Sequence, residues 1–289
     1  VSVGPGRFLT GSIKLKSGVE LRLETGSRLV GSTDLGDYED FAADGFHLEY
    51  APERSVKTLV HAVDAHDIAI TGPGEIDGSG PAFYDTGTMS GRFYSKPDTE
   101  RPRMVMMYGC SDIRFEGAAF TDSPCWTVWL MKCERINIHR VRIRADQRMI
   151  NNDGIDIDSC RNVTISDCII KTGDDCIVLR AMDGMFAEPA PCENVTVTNC
   201  VLDSWCQALR LGCPSDGTIR NAVFSNLVLT SENHGISIEH PKRYLVGDDT
   251  GNADMHDIEF AGLVIRAVHT PIRVLVEEGI KLRRLSDLS

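Results

Sequence analysis

Two short stretches concentrate carboxylates in a pattern that can do chemistry: Asn151-Asn-Asp153-Gly-Ile-Asp156-Ile-Asp158 and Gly173-Asp174-Asp175-Cys-Ile-Val-Leu-Arg180. Asp153 precedes Asp174 by 21 residues and Asp175 by 22. If that interval is one coil of a repeating structure, the three aspartates fall on neighbouring rungs about 4.8 Å apart. Three carboxylates so close cannot all ionise cheaply, so at least one keeps its proton beside ionised neighbours. A glycosidic bond broken through an oxocarbenium-like transition state needs that combination, an acid on the leaving oxygen and a base on a water across the ring. Acidic residues at successive turns can instead bind calcium, or simply solvate coil edges as Asp67, Asp112 and Asp257 would. Catalysis is favoured, because Gly-Asp-Asp directly before a buried Cys-Ile-Val-Leu strand is costly to maintain for solvation alone.

The elements that must position these residues repeat. A polar residue followed by apolar, variable, apolar recurs at Asp67, Asp112, Arg135, Asn162, Asn194, Asn221 and Asp257, with offsets of 45, 23, 27, 32, 27 and 36 residues. Period-two alternation marks strands with one buried face. A second strand follows in each unit (Val141–Ile143, Cys168–Ile170, Cys200–Leu202, Leu227–Leu229, Leu263–Ile265), and then a third (Gly154–Ile157, Ile177–Leu179, Ala208–Leu211, Gly235–Ile238). Three strands per repeat with no helical pattern between them predict an all-β chain, a right-handed parallel β-helix forming one domain over 1–289. A Greek-key sandwich ranks second, since it would not hold the same polar-apolar phase at every repeat. The asparagines opening the coils are expected to be turn residues. Segments 32–60 and 77–103 break the rhythm and are expected to be loop extensions that wall a groove. The chain starts in strand-like sequence and ends as another repeat opens, as a chain trimmed at both ends would.

Composition narrows the function. A net charge of -12 argues against reading a nucleic-acid backbone, though a few local Arg or Lys can still make one groove attractive to an anion, and no apolar run is long enough to span a membrane. Of the ten cysteines, Cys160, Cys168 and Cys176 fall eight apart, as do Cys192 and Cys200. That spacing tracks the strand repeat, so these are expected to be free thiols stacked as small hydrophobes rather than disulfides. There is no CxxC pair, and Cys206 with Cys213 lacks a histidine at ligand spacing, so no metal is expected. No cofactor motif is present either.

On these motifs the chain resembles the polygalacturonase-type glycoside hydrolases of family twenty-eight, which are parallel β-helices acting on pectin by inversion. Asn151-Asn152-Asp153-Gly154 is similar to the family's Asn-Thr-Asp-Gly, and Gly173-Asp174-Asp175 to its Gly-Asp-Asp. The resemblance implies that Asp174 is the general acid and that Asp153 and Asp175 hold and deprotonate the water. The family's Gly-His-Gly should fall one coil later, where Gln207 stands in place of the histidine. Its Arg-Ile-Lys, which grips a galacturonate carboxylate, should fall at Gly235–Glu239, where neither cation is present. A second alignment, matching Asn233-His234-Gly235 to the histidine motif and Ile272-Arg273-Val274 to the cationic one, demands an inserted coil.

The expected partner is a pectin-like or other uronate-containing polysaccharide or oligosaccharide. Asn151, Arg180, Gln207, Arg210, His234 and Trp205 are the candidates for sugar contact. Arg180 and Arg210 could equally pair with Asp156 or Asp158, His234 could be structural, and Trp129 is expected in the core. Two alternatives stand beside hydrolysis: a lyase or uronate epimerase on the same scaffold, and a non-catalytic glycan-binding solenoid. A secreted or periplasmic location follows from such a substrate, while oligomeric state is left open.

Overall fold

The computed structural model describes residues 1–47, 50, 53, 55–243, 245 and 250–289, with only the backbone of 213–215. Three long sheets, of ten, nine and nine strands, run the length of the molecule with every pairing parallel. The chain visits each sheet once per coil, which makes the fold a parallel β-helix; no α-helix occurs among the described residues. The repeats found in the sequence are the coils. In the ten-stranded sheet Ile68, Ile113, Ile136, Val163, Val195, Ala222 and Ile258 pair in succession. Each of these residues directly follows one of the repeated polar residues.

Those polar residues share a backbone conformation. Asp67, Asp112, Arg135, Asn162, Asn194, Asn221 and Asp257 all lie in the left-handed region, with φ between 53° and 58°. Asn and Asp adopt it most readily among residues with a Cβ, which explains their choice here. The left-handed residue resets the strand phase at the corner, and its side chain ties one coil to the next. Asn194 Nδ2 donates to Asn162 Oδ1 at 3.0 Å, and Asn221 Nδ2 to Asn194 Oδ1 at 3.2 Å. A second corner repeats the device with Arg140, Asp167, Asn199 and Asn226 at φ 55° to 57°.

Inside, like stacks on like. Phe115, Ile138, Ile165, Val197 and Phe224 form one interior column, all fully buried. Each such side chain contributes about 1.5–3 kcal/mol relative to exposure. The described cysteines are free, and all but the half-buried Cys206 are buried. The eight-residue spacing turns out to run around the corners of one coil, while stacking runs between coils: Cys160 Sγ accepts from the Cys133 amide at 3.3 Å. The side chain of Cys213 lies outside the described residues.

The third sheet carries the site. It runs through Arg103–Tyr108, Val128–Met131, Ile155–Asp158, Ile177–Ala181, Gln207–Ser215 and His234–His240 to the edge strand Thr270–Val276. Both faces of most of these strands are buried, because loops cover the outer one. From the segment between Gly31 and Thr58, Phe41 and Phe46 pack against Met106, Tyr108 and Trp129; residues 48, 49, 51, 52 and 54 of this extension lie outside the described residues. The segment between Asp77 and Arg103 holds a small antiparallel ribbon, Met89–Ser90 with Phe93–Tyr94, and buries Tyr84 and Tyr94 against Met149.

The corner conformation is open to test. Asn194→Val should cost about 2 kcal/mol, from a β-branched residue forced left-handed and a lost ladder bond, read as a lower urea midpoint. Asn194→Gly, which accepts the backbone angle, should lose distinctly less.

Candidate active site

Register places the carboxylates. Ile155 pairs with Ile177, an offset of 22 residues, so Asp153 and Asp175 occupy one position on successive coils. Leu209 pairs with Ile177, which extends the column to Gln207, and direct pairings add His234 and Thr270. The adjacent column runs Asn152, Asp174, Cys206 by the same offsets. Gln207 therefore stands one coil beyond Asp175, and His234 two.

The turn bearing Asp174 and Asp175 is built by close backbone contacts. A Cβ on Gly173 would sit 2.3 Å from the Met149 carbonyl oxygen and 2.5 Å from that of Gln147, so only glycine fits. Asn152, fully buried, accepts from the amides of Gly173 at 2.7 Å and Asp174 at 3.1 Å and donates to the Asp146 carbonyl. Thr172 and Ser204 hydroxyls both donate to the Asp174 carbonyl, at 2.6 and 2.7 Å. With its backbone pinned from three sides, the Asp174 carboxyl has little freedom to leave the cleft.

The three carboxyls have distinct surroundings. Asp174 is half-buried and accepts from the Asn151 amide at 3.2 Å and the Asp175 amide at 3.0 Å. Burial, and after it the neighbouring Asp175, pushes its pKa up to about 6. Asp175 is fully buried and accepts from the Gln207 amide at 3.0 Å and Arg210 Nη1 at 2.8 Å. Asp153 leaves Oδ1 without a hydrogen-bond partner. Burial raises its pKa well above the usual carboxylate range, with Asp174 adding to the rise and Arg180 opposing it. Arg180 Nη2 approaches Asp153 Oδ2 to 3.7 Å.

These groups open into one cleft of about 530 Å³, lined among others by Asn151, Asp153, Asp174, Arg180, Gln207 and Arg210. Asp175 lies beneath the lining. His234 and Trp205 are set back from it: His234 bonds Thr270 Oγ1 at 2.7 Å and Arg273 at 3.0 Å, while Trp205 meets Phe93 edge-on at 5.9 Å. Arg180 does both things open to it, pairing with Asp156 and lining the cleft, with its guanidinium 4.3 Å from the Trp126 ring centre. Arg210 bridges Asp175 and Glu239. Trp129 is in the core, fully buried.

Arg101, Glu53 and Asn152 were not singled out from the sequence, whereas Arg273 stood in the second motif alignment. Arg101 joins the two loops to the turn, bonding Asn151 Oδ1 at 3.0 Å, Glu53 at 3.1 Å and the Ile150 carbonyl at 2.9 Å. Glu53, Trp126, Glu239 and Arg273 also line the cleft. Asn152 could have been noticed, because it precedes Asp153 by one residue and so shares the Asp174 column. Asp174, Asp175 and Cys206 are the group among the described residues close enough to hold a cation, within 4.8 Å of one another. They suit one poorly, since both Asp175 oxygens already accept hydrogen bonds and burial holds the Cys206 thiol protonated.

The family model "Glycosyl hydrolases family 28" matches residues 1–185. A "Probable polygalacturonase" from Vitis vinifera is 28% identical over 245 residues, 82% of this chain and 48% of that protein. The chain thus spans about half the length of this relative. A hyperthermoactive exopolygalacturonase from Thermotoga maritima superposes with a TM-score of 0.69 at 25% identity, over 92% of this chain and 67% of that one. A polygalacturonase from Erwinia carotovora ssp. carotovora, 16% identical, shares the fold with a TM-score of 0.62 over 94% of this chain and 87% of its own.

The buried carboxyls make stability depend on pH. Burial pushes Asp156 up to about 6 and Asp158 up to about 7, the latter against the opposing influence of Arg180 and Trp129. A raised carboxyl pKa contributes stability that is present in acid and lost as pH climbs through the folded value. Burial depresses His61, His234 and His240, which act oppositely but below about pH 6.5. Asp158→Asn should therefore gain in melting temperature relative to the parent as pH rises from 5 to 8.

Proposed function

The chain belongs to glycosyl hydrolases family 28, and on that premise we propose that it hydrolyses glycosidic bonds in a pectin-like or other uronate-containing polysaccharide or oligosaccharide. The observation that carries this reading is the pairing of unlike carboxyls in one cleft. Asp174 is half-buried at the lining with its pKa pushed up to about 6, whereas Asp175 is held as an acceptor by Arg210 and a backbone amide. Asp174 serves as general acid on the leaving oxygen, and Asp153 with Asp175 orients and deprotonates the attacking water, giving inversion. Asp153 and Asp174 compete for a proton, since burial raises both. Arg180, 3.7 Å from Asp153, works against the proton on that residue without cancelling the rise.

The arginines also argue against the lyase alternative. A lyase needs a base that takes a ring proton, and the two arginines nearest the aspartates are committed to carboxylates: Arg180 to Asp156, Arg210 to Asp175 and Glu239. A guanidinium held in such pairs is a poor proton acceptor. The relatives named polygalacturonase support hydrolysis of the same substrate class. Action on extracellular pectic material would place the protein outside the cytoplasm.

Asp174→Asn should lower kcat/KM on pectic oligosaccharides by about 10²–10⁴-fold, the usual worth of a positioned general acid. In the parent, kcat/KM should fall as pH rises beyond about 6, the value to which burial pushes Asp174. Products should carry new reducing ends and no ring double bond. Unsaturated uronate products would establish the lyase, and tight glycan binding without any cleavage would establish a recognition solenoid.

A further inference from the structure

One wall of the cleft carries a charge arrangement that bond cleavage does not require. In the site sheet one outward position holds Asp156, Val178, Arg210, Ser237 and Arg273 on successive coils. Arginines thus stand on two coils with a serine between them, and two residues beyond that serine Glu239 fills the gap. Arg210 Nη2 donates to Glu239 Oε2 at 2.6 Å, Arg273 Nη1 donates to Oε1 at 3.1 Å, and Ser237 Oγ also donates to Oε1, at 2.8 Å. The arginines hold the Glu239 carboxyl below its usual range against the opposing effect of burial, so it is ionised. Arg210 spends its other arm on Asp175 at 2.8 Å, and Arg273 also reaches His234 Nε2 at 3.0 Å. Within this network two guanidinium groups, Arg210 and Arg273, are paired with two carboxylates, Asp175 and Glu239.

A uronate carboxylate is acceptor-only, and here it would arrive beside a fixed carboxylate whose arginine partners are already neutralised. A sugar hydroxyl accepts and donates at once. It can accept a hydrogen bond from Arg273 and donate one to Glu239, which matches the alternating chain of donors and acceptors along the wall. Beyond the network the same lining adds one charge of each sign, Arg243 and Glu277.

We propose that Glu239 is a specificity-determining residue that cancels Arg210 and Arg273 and makes this end of the cleft a subsite for a neutral, hydroxyl-rich sugar. The substrate is then a polymer in which an uncharged sugar adjoins the cleaved bond. This deepens the hydrolase reading and rests on it for the identity of the bond, but affinity tests it separately. Isothermal titration calorimetry of the chain with trigalacturonate and with its uncharged galactose counterpart provides the test, with thermal melts confirming that each variant folds.

The parent should bind the neutral trisaccharide at least as tightly as trigalacturonate. Glu239→Gln should gain about tenfold in affinity for trigalacturonate, as expected when a like charge is removed, with little change for the neutral sugar. Arg273→Met alone should weaken trigalacturonate further, and in the Glu239→Gln background it should abolish the gain. Tighter binding of trigalacturonate by the parent, no measurable binding of the neutral sugar, or an unchanged preference in Glu239→Gln would each overturn the proposal. Absence of turnover with the preference intact would instead remove the hydrolase reading alone.

Discussion

Parallel stacking of each coil on the last, in fixed register, is the constraint on which the rest of this molecule depends. Backbone hydrogen bonds between coils allow no slip, because a one-residue shift would turn every buried side chain outward. Position along a coil is thereby copied from rung to rung. The column Asp153, Asp175, Gln207, His234, Thr270 and its neighbour Asn152, Asp174, Cys206 follow directly. Residues far apart in the chain become neighbours through the backbone, so the site is as rigid as the sheet that carries it.

Rigidity is coupled to burial. The covering loops bring Phe41, Phe46 and Tyr84 over the outer face, and this cover removes water from carboxyls that an open β-helix would leave solvated. Desolvation is the largest influence on Asp153, Asp156, Asp158 and Asp174, ahead of any single neighbouring charge. The sheet supplies position and the loops supply chemistry. Stability is sacrificed for this, since the buried Asp153 Oδ1 and Asp156 Oδ2 lack hydrogen-bond partners and have no structural merit of their own.

Much of this was legible in the sequence, for a physical reason. A solenoid repeats its local environment, so one polar-apolar phase recurs, and the offsets from Asp67 to Asp257 match the observed register coil by coil. The 22-residue gap from Asp153 to Asp175 carries the same information. Interactions that cross coils at unrelated positions left no such trace. Arg101 reaches Asn151 from a loop, Glu239 is gripped from two coils at once, and neither partner lies at a fixed spacing. The order of proton affinities was likewise hidden, because it depends on how deeply the loops bury each carboxyl. The column also accounts for Gln207 and His234: Gln207 takes the rung nearest the aspartates, and His234 is drawn away toward Thr270 and Arg273.

The left-handed corner residues have a further consequence. From Ile68 to Ile258 in the ten-stranded sheet successive coils differ in length, from 23 residues between Ile113 and Ile136 to 45 between Ile68 and Ile113, yet the pairing register holds throughout. Each corner re-initialises the strand, so the excess chain is expelled sideways as a loop and the next rung begins as though nothing had intervened. Inserted segments therefore behave as interchangeable cassettes mounted on an invariant rack. A lineage, or an engineer, can swap what overhangs the cleft without renegotiating the frame, which makes this architecture a ready platform for diversifying recognition while the reacting groups stay in place.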